Sequence, residues 1–244
     1  MKPLKEALKN IEKIVNDKPT RYFVARKILF LDRYLPTVAT NSKKLLDLGS
    51  NKGYLTEFFK NKGYDAYGLE FNKELVEFSK KNGKAKYMQG SVENIPFKDN
   101  SFDVILCLAS LEHFVDRSRA MKEINRVSKK DGKVIFTVPN TWSYFFIRSF
   151  ITFILRGEKA WKNVHYQQNY FHWQHQIHQF LRILDARPIL AMPFIEPKLV
   201  WNSFLSNFEY NKKSLAWMSA EPIFICTKRI KEIKGYTDNT NLEK

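Results

Sequence analysis

From Lys43 to Asn140 short apolar runs alternate with amphipathic segments, and this alternation constrains the fold more than any other feature of the chain. "KKLLDLG" (43–49), "DAYGLE" (65–70), "KAKYMQG" (84–90), "SFDVILCLAS" (101–110) and "KVIFTVPN" (133–140) read as strands. "YLTEFFKNKG" (54–63), "NKELVEFSKKNG" (72–83) and "SRAMKEINRVSKKDG" (118–132) read as helices, the first two closed by Gly63 and Gly83. Strands joined through helices run parallel, and their sheet is covered on both faces.

The flanks are less regular. Residues 3–16 and 20–35 read as amphipathic helices, the second carrying Tyr22, Phe23, Ile28, Leu29 and Leu31 and ending at Pro36. The alternation stops at Asn140. "TWSYFFIRSFITFILRGEKAW" (141–161) is apolar and aromatic, with Arg148, Thr152 and Arg156 four apart, which on a helix leaves a narrow polar stripe beside a wide apolar face. "HQIHQFLRILDA" (175–186) reads as a helix, "PILAMPF" (188–194) as a strand and "PIFICTKR" (222–229) as a last strand. The expected organisation is a helical cap (1–42), a main domain (43–230) with an aromatic insertion (141–174) and an irregular one (195–221), and a polar tail (231–244).

At 244 residues and 44% hydrophobic content the chain is long and apolar enough to bury a core. The net charge of +16 predicts attraction to anions, nucleic acid or an acidic membrane face, and is silent on fold. Cys107 and Cys226 sit in runs that read as buried strands and show no zinc spacing, which fits a reducing, cytoplasmic setting. "MKPLKEALKN" does not read as a leader, and no apolar run is long enough to span a membrane.

The chemistry starts at "LLDLGSNKGYL". A parallel sheet binds ligands at the carboxyl ends of its strands, beside the point where strand order reverses. The first strand ends in Asp47-Leu48-Gly49. Gly49 accommodates a positive φ, and Gly53 lets the next helix start close to the strand. A dinucleotide fingerprint would need a third glycine where Thr56 stands, so the pattern is D-x-G-x-x-x-G. Glu70 ends the second strand, 21 residues after Gly49, where an acid can accept hydrogen bonds from two ribose hydroxyls. Taken alone, the loop is a weak signal that also reads as a tight turn without a ligand, and Glu70 as a solvated charge. Their spacing favours the ribose reading.

The ordered segments "LLDLGSNKGYL", "YGLE", "GSVENIPFKDNSFDVILCLASLEHF" and "EINRVSKKDGKVIFTVPN" resemble the class I S-adenosylmethionine-dependent methyltransferases. The similarity is greatest to the small-molecule and lipid group with an "LPF…FD…EH" signature, the type 11-like methyltransferases. It is close over 43–140 and loose over 175–229. The resemblance implies an α/β, Rossmann-like sheet of seven mostly parallel strands with an antiparallel last strand, and S-adenosyl-L-methionine as cofactor. It also implies that Asp47 positions the cofactor's amino group. Gly49, Ser50, Asn51 and Gly53 would shape the loop beneath its methionine end. Glu70 would hold the ribose, Phe71 would stack on adenine, and Ser91 and Val92 would read the adenine edge. Leu108 and Ala109 would offer backbone groups to the methionine part. Two positions depart from the family pattern: Asn51 replaces a glycine and Ser91 an aspartate. Asparagine tolerates left-handed backbone better than most residues.

Methyl transfer from a sulfonium is an in-line displacement, in which the enzyme chiefly holds a nucleophile behind the methyl in a partly dehydrated pocket. A general base helps when the acceptor is a hydroxyl. His113, in "SLEHF", is the first candidate base, with a backbone-bonded histidine at a helix start as the alternative, and Glu112 beside it is ambiguous. His165, His172, His175 and His178 raise a metal question. Residues three apart do not converge as a triplet, and carboxylates are missing nearby, so no metal is expected. A polar, aromatic wall over the acceptor, with His172 touching it, is the expectation instead. Segment 141–161 packs as a core or lid helix, or meets a membrane surface or lipid tail, and 141–173 could form a dimer face. The expected partner is a small or lipid-like acceptor, with peripheral contact to an anionic membrane. RNA is disfavoured, because "CLASLEHF" stands where RNA enzymes of this type carry an Asn/Asp-Pro-Pro-Tyr motif. A non-catalytic binding protein on the same fold is the alternative of another class.

Overall fold

The computed structural model describes residues 18–40, 42–141, 168–188, 216 and 221–230. The expected helix 3–16, most of the aromatic insertion 141–174, all but the first residue of the strand expected at 188–194, nearly all of the insertion 195–221 and the tail 231–244 lie outside them. The elements are α1 (Lys18–Tyr34), β1 (Lys44–Leu48), α2 (Tyr54–Asn61), β2 (Asp65–Glu70), α3 (Lys73–Asn82), β3 (Lys86–Gln89), β4 (Phe102–Leu108), α4 (Arg117–Val127), β5 (Ser128–Thr137), α5 (Tyr170–Phe180), β6 (Leu181–Pro188) and β7 (Pro222–Lys228).

The seven strands form one sheet in the order β3-β2-β1-β4-β5-β7-β6. β1 pairs in parallel with β2 and β4, and β7 is antiparallel to both β5 and β6. The strands are apolar on both sides. Leu46, Ile105 and Phe136 pack with α4 and α5, while their neighbours Leu45, Leu106 and Ile135 pack with α1 and α2. Successive side chains of a strand point to opposite faces, so β1, β2, β4, β5 and β7 each supply both cores.

Local chemistry sets the helix starts. Asn72, Asp116 and Asn169 each accept a backbone N–H of the first turn of α3, α4 and α5. α1 docks through its C-terminal end: the buried Lys62 ammonium donates to Asp32 Oδ1 at 2.8 Å and to the Leu35 carbonyl at 2.5 Å. This contact fixes where the rest of α1 runs over the sheet.

Two expectations are corrected. The helix expected over 118–132 ends at Val127, and Ser128 already pairs with Phe102. The register then jumps to Val104↔Lys133. The Lys228 ammonium donates to the carbonyls of Arg126 and Ser128, which closes the helix end from β7. The helix expected over 175–186 starts earlier, at Tyr170, and ends at Phe180; residues 181–188 are the edge strand β6. "LRILDARP" fits either period, and pairing with β7 decides it: Leu181 is buried, Arg182 exposed, and Ile183 lies opposite Cys226.

Candidate functional site

A cavity of about 920 Å³ opens at the carboxyl ends of β1, β2, β3 and β4. β1 lies between β2 and β4, which is the reversal point of the sheet. The cavity takes Asp47, Gly49, Ser50 and Asn51 from β1 and its loop, Glu70 and Phe71 from β2, Ser91 and Val92 after β3, and Leu108 and Ala109 after β4. Gly53, the last loop residue before α2, is not among the lining residues.

The loop after β1 is a closed turn. Gly49, Asn51 and Gly53 have φ of 69°, 50° and 76°, so asparagine occupies the left-handed region where the family has glycine. The amides of Gly49 and Ser50 donate to the Leu69 carbonyl, and Gly53 N–H donates to the Ser50 carbonyl. Glu70 completes the turn: Oε2 accepts Asn51 N–H at 2.9 Å and Oε1 accepts Asn72 N–H at 3.0 Å. The acid is therefore built into the loop, and each carboxylate oxygen has capacity to accept a further donor.

Asp47 is buried and accepts Thr56 Oγ1–H at 2.7 Å. Thr56 thus has a task at the position where a dinucleotide loop would have glycine. Burial pushes the Asp47 carboxyl up to about 6, and the nearby Glu70 adds to this, while Thr56 and Lys27 oppose it. Lys27 of α1 also lines the cavity, 8% exposed, and its ammonium is 2.6 Å from Glu221 Oε1, which accepts Thr137 Oγ1–H as well. Glu112 is buried too. Its Oε2 has no hydrogen-bond partner among the described residues, and burial with the charge of Glu221 pushes its carboxyl up to about 7.

The remaining candidates divide. Phe71 is 78% exposed on the cavity rim. Ser91 donates to Glu93 Oε2, and Glu93 Oε1 accepts the Val115 and Asp116 amides. Burial works against the charged form of Glu93, but these bonds outweigh it and hold its carboxyl below the usual range. A carboxylate thus stands behind Ser91. Ala109 has a φ of 53°, and its N–H is spent on the Thr137 carbonyl, so only its carbonyl is left to offer. His113 lines the cavity with its side chain 70% exposed and Nε2 4.0 Å from Glu112 Oε1. His172 is not among the lining residues. It is exposed on α5, where partial burial and then the charges of Arg117 and His175 lower its pKa. Among the described residues no group of three His, Cys, Asp or Glu could hold a metal.

Residues 46–136 match the family described as "Methyltransferase domain". They form a class I S-adenosylmethionine-dependent methyltransferase domain. The methyltransferase domain is similar to an uncharacterized methyltransferase of Bacillus subtilis, at 34% identity over 98 residues, 38% of this chain and 39% of the relative. It is also similar to a demethylmenaquinone methyltransferase of Thermotoga maritima, at 29% identity over 126 residues, 47% of this chain and 55% of the relative. The matched segments thus span between two fifths and just over half of these relatives. A TehB-like methyltransferase structure from Corynebacterium glutamicum superposes with a TM-score of 0.56 at 14% identity, covering 91% of this chain and 94% of that one, and shows the same fold.

The cofactor of this family is S-adenosyl-L-methionine, and the residues present fit it. The buried hydroxyls of Ser50 and Tyr54, both in lining residues, have no partner among the described residues. The cavity also offers both a buried acid for an ammonium and carboxylate oxygens for a diol. Sequence reasoning passed over Lys27, Tyr54 and Glu93. Glu93 carried a signal, an acid two residues after a strand-end serine, whereas Lys27 carried none, because only tertiary packing brings α1 here.

The buried acids give a pH signature. A carboxyl whose pKa is higher folded than unfolded favours the folded state while protonated, and this contribution turns into a cost as pH rises toward its folded pKa. For Glu112 the shift from 4.5 to about 7 is worth on the order of 3 kcal/mol above pH 7. Glu112→Gln is expected to gain roughly 5–10 °C in Tm over the parent between pH 5 and pH 8. Parallel Tm curves for the two proteins across that range would contradict it.

Proposed function

We propose that the chain transfers the methyl group of S-adenosylmethionine to a hydroxyl oxygen of a small or lipid-like acceptor. The convergence of Asp47, Gly49–Asn51, Glu70, Phe71, Ser91 and Val92 on one cavity at the reversal point carries this reading. Here Glu70 accepts the two ribose hydroxyls, and Phe71 offers its exposed ring to adenine. Ser91 and Val92 meet the adenine edge with the Glu93 carboxylate behind them. Asp47 holds the amino group, and the carbonyls of Leu108 and Ala109 face the methionine part. When bound, the cofactor supplies an activated methyl on a sulfonium. The chain holds the acceptor in line, excludes water, and takes up the acceptor's proton at His113. His113 is preferred to His172 because it lines the cavity.

The acceptor class draws support from the apolar lining at Val24, Leu55, Phe114 and Val115, and from the similarity to the demethylmenaquinone methyltransferase of Thermotoga maritima. RNA is the weaker reading. Among the described residues the cavity carries two cations, Lys27 and Arg119, whereas Lys43, Lys129, Lys130, Lys133 and Lys228 line a separate cavity. No helix of the described residues is long and apolar enough to cross a membrane. In this reading the enzyme works in the cytoplasm and meets a lipid acceptor at an anionic membrane surface.

The test is methyl-labelled S-adenosylmethionine incubated with the full chain and either phenolic and quinol lipids or total RNA. Label is expected in the organic extract, with His113→Ala lowering turnover about a hundredfold while S-adenosylhomocysteine affinity stays within about twofold. Label on RNA, or no binding of S-adenosylhomocysteine, would overturn the reading.

A further inference from the structure

We infer that Lys27 of α1, outside the family-matched segment, binds the α-carboxylate of the cofactor and so makes the N-terminal helix part of the cofactor site. The inference rests on the cofactor reading above and goes further, to a contact that the matched residues 46–136 do not supply.

The amino-acid end of S-adenosylmethionine is a zwitterion. Its ammonium has a partner in Asp47. Its carboxylate needs a cation or several N–H donors, because an enclosed carboxylate without a partner is strongly disfavoured. Around Lys27 the protein is already acidic, with Asp47, Glu112 and Glu221 all buried and within reach of its charge. A further anion is tolerated there only beside a cation. Among the described lining residues the cations are Lys27 and Arg119, and Arg119 is exposed on α4. Lys27 is more than nine-tenths buried, and its charge acts on the Asp47 carboxylate, opposing part of the effect of burial there. The hydroxyl of Tyr54, at the start of α2, lines the same cavity and lacks a partner among the described residues, so it is a second donor for the carboxylate.

Lys27 also has a reason to stay in place without cofactor. Glu221 holds it at 2.6 Å, and Thr137 in turn fixes Glu221. An ammonium has three donors, so it can keep Glu221 while a second N–H reaches a ligand oxygen. α1 is anchored at its far end through Lys62 and Asp32, which makes the position of Lys27 a fixed feature of the fold.

Calorimetry on the full chain separates the outcomes, with S-adenosylmethionine, decarboxylated S-adenosylmethionine and 5′-methylthioadenosine as probes. The parent is expected to prefer S-adenosylmethionine over its decarboxylated form by about tenfold or more, the usual effect of one charge-assisted contact. Lys27→Met is expected to remove that preference and leave 5′-methylthioadenosine affinity within about twofold. Because Lys27→Met leaves Glu221 buried without its cation, Lys27→Met/Glu221→Gln is measured alongside, with the same loss of preference expected. A preference that survives in both variants, or a parent without one, overturns the inference while the cofactor reading stands. A parent that binds none of the three probes overturns the cofactor reading itself.

Discussion

Glu70→Ala is expected to weaken S-adenosylhomocysteine binding by roughly a hundredfold, about 3 kcal/mol. Two losses combine. The alanine cannot accept the ribose hydroxyls, each a charge-assisted bond that water in the vacated space replaces imperfectly. It also releases the Asn51 and Asn72 amides that Glu70 holds at 2.9 and 3.0 Å, so the loop under the methionine end has to be ordered at the moment of binding. Both amides belong to exposed residues and find water when released, so the folded state itself suffers little, and Tm is expected to move by only a few degrees. Glu70→Asp is the informative control. Its shorter side chain cannot span both amides, and a loss of about tenfold is expected. Calorimetry reads both variants. An alanine variant that binds within threefold of the parent would remove Glu70 from the site.

Gly53→Ala acts on stability instead. A side chain at a φ of 76° costs about 1 kcal/mol or more in backbone energy. The added Cβ would also stand 2.4 Å from Tyr87 Oη and 2.7 Å from the adjoining ring carbon. Tyr87 cannot move aside freely. It is buried, and its hydroxyl donates to Glu57 Oε1, the oxygen that also receives the amides of Lys84 and Ala85. Moving the ring therefore disturbs the start of β3 and α2 together. Overpacking of this kind adds roughly 1–3 kcal/mol. The sum is about 3 kcal/mol, a fall in Tm of roughly 6–12 °C for a domain of this size. Thermal unfolding checks it, and a shift below about 2 °C would show that the loop relaxes without strain.

These two variants probe the part of the protein that was legible in the sequence. The bend at Gly49–Gly53, the acid at Glu70 and the serine at 91 lie within consecutive strand-loop-helix units. Short-range rules suffice there: glycine or asparagine where φ is positive, an acid at a strand end, apolar runs where a strand is covered twice. The helices whose starts are capped by Asn72 and Asp116 were legible for the same reason.

What escaped depended on partners distant in the chain. "LRILDARP" reads as helix until β7 arrives to pair with it, about forty residues later. The end of α4 at Val127 is set by Lys228, roughly a hundred residues away. Lys27 and Glu221 are separated by 194 positions, and neither shows a signal of its own. The sequence alone determined strands β1 to β5 and β7, the loop and the acid that faces it, because local backbone preference and hydrophobic period act over a few residues. Tertiary structure alone decided that α1 contributes a buried cation, that Glu93 is bonded to Ser91, and that Glu112 is enclosed with its Oε2 lacking a hydrogen-bond partner among the described residues. Burial and charge proximity are properties of the assembled chain, and no short window of residues contains them.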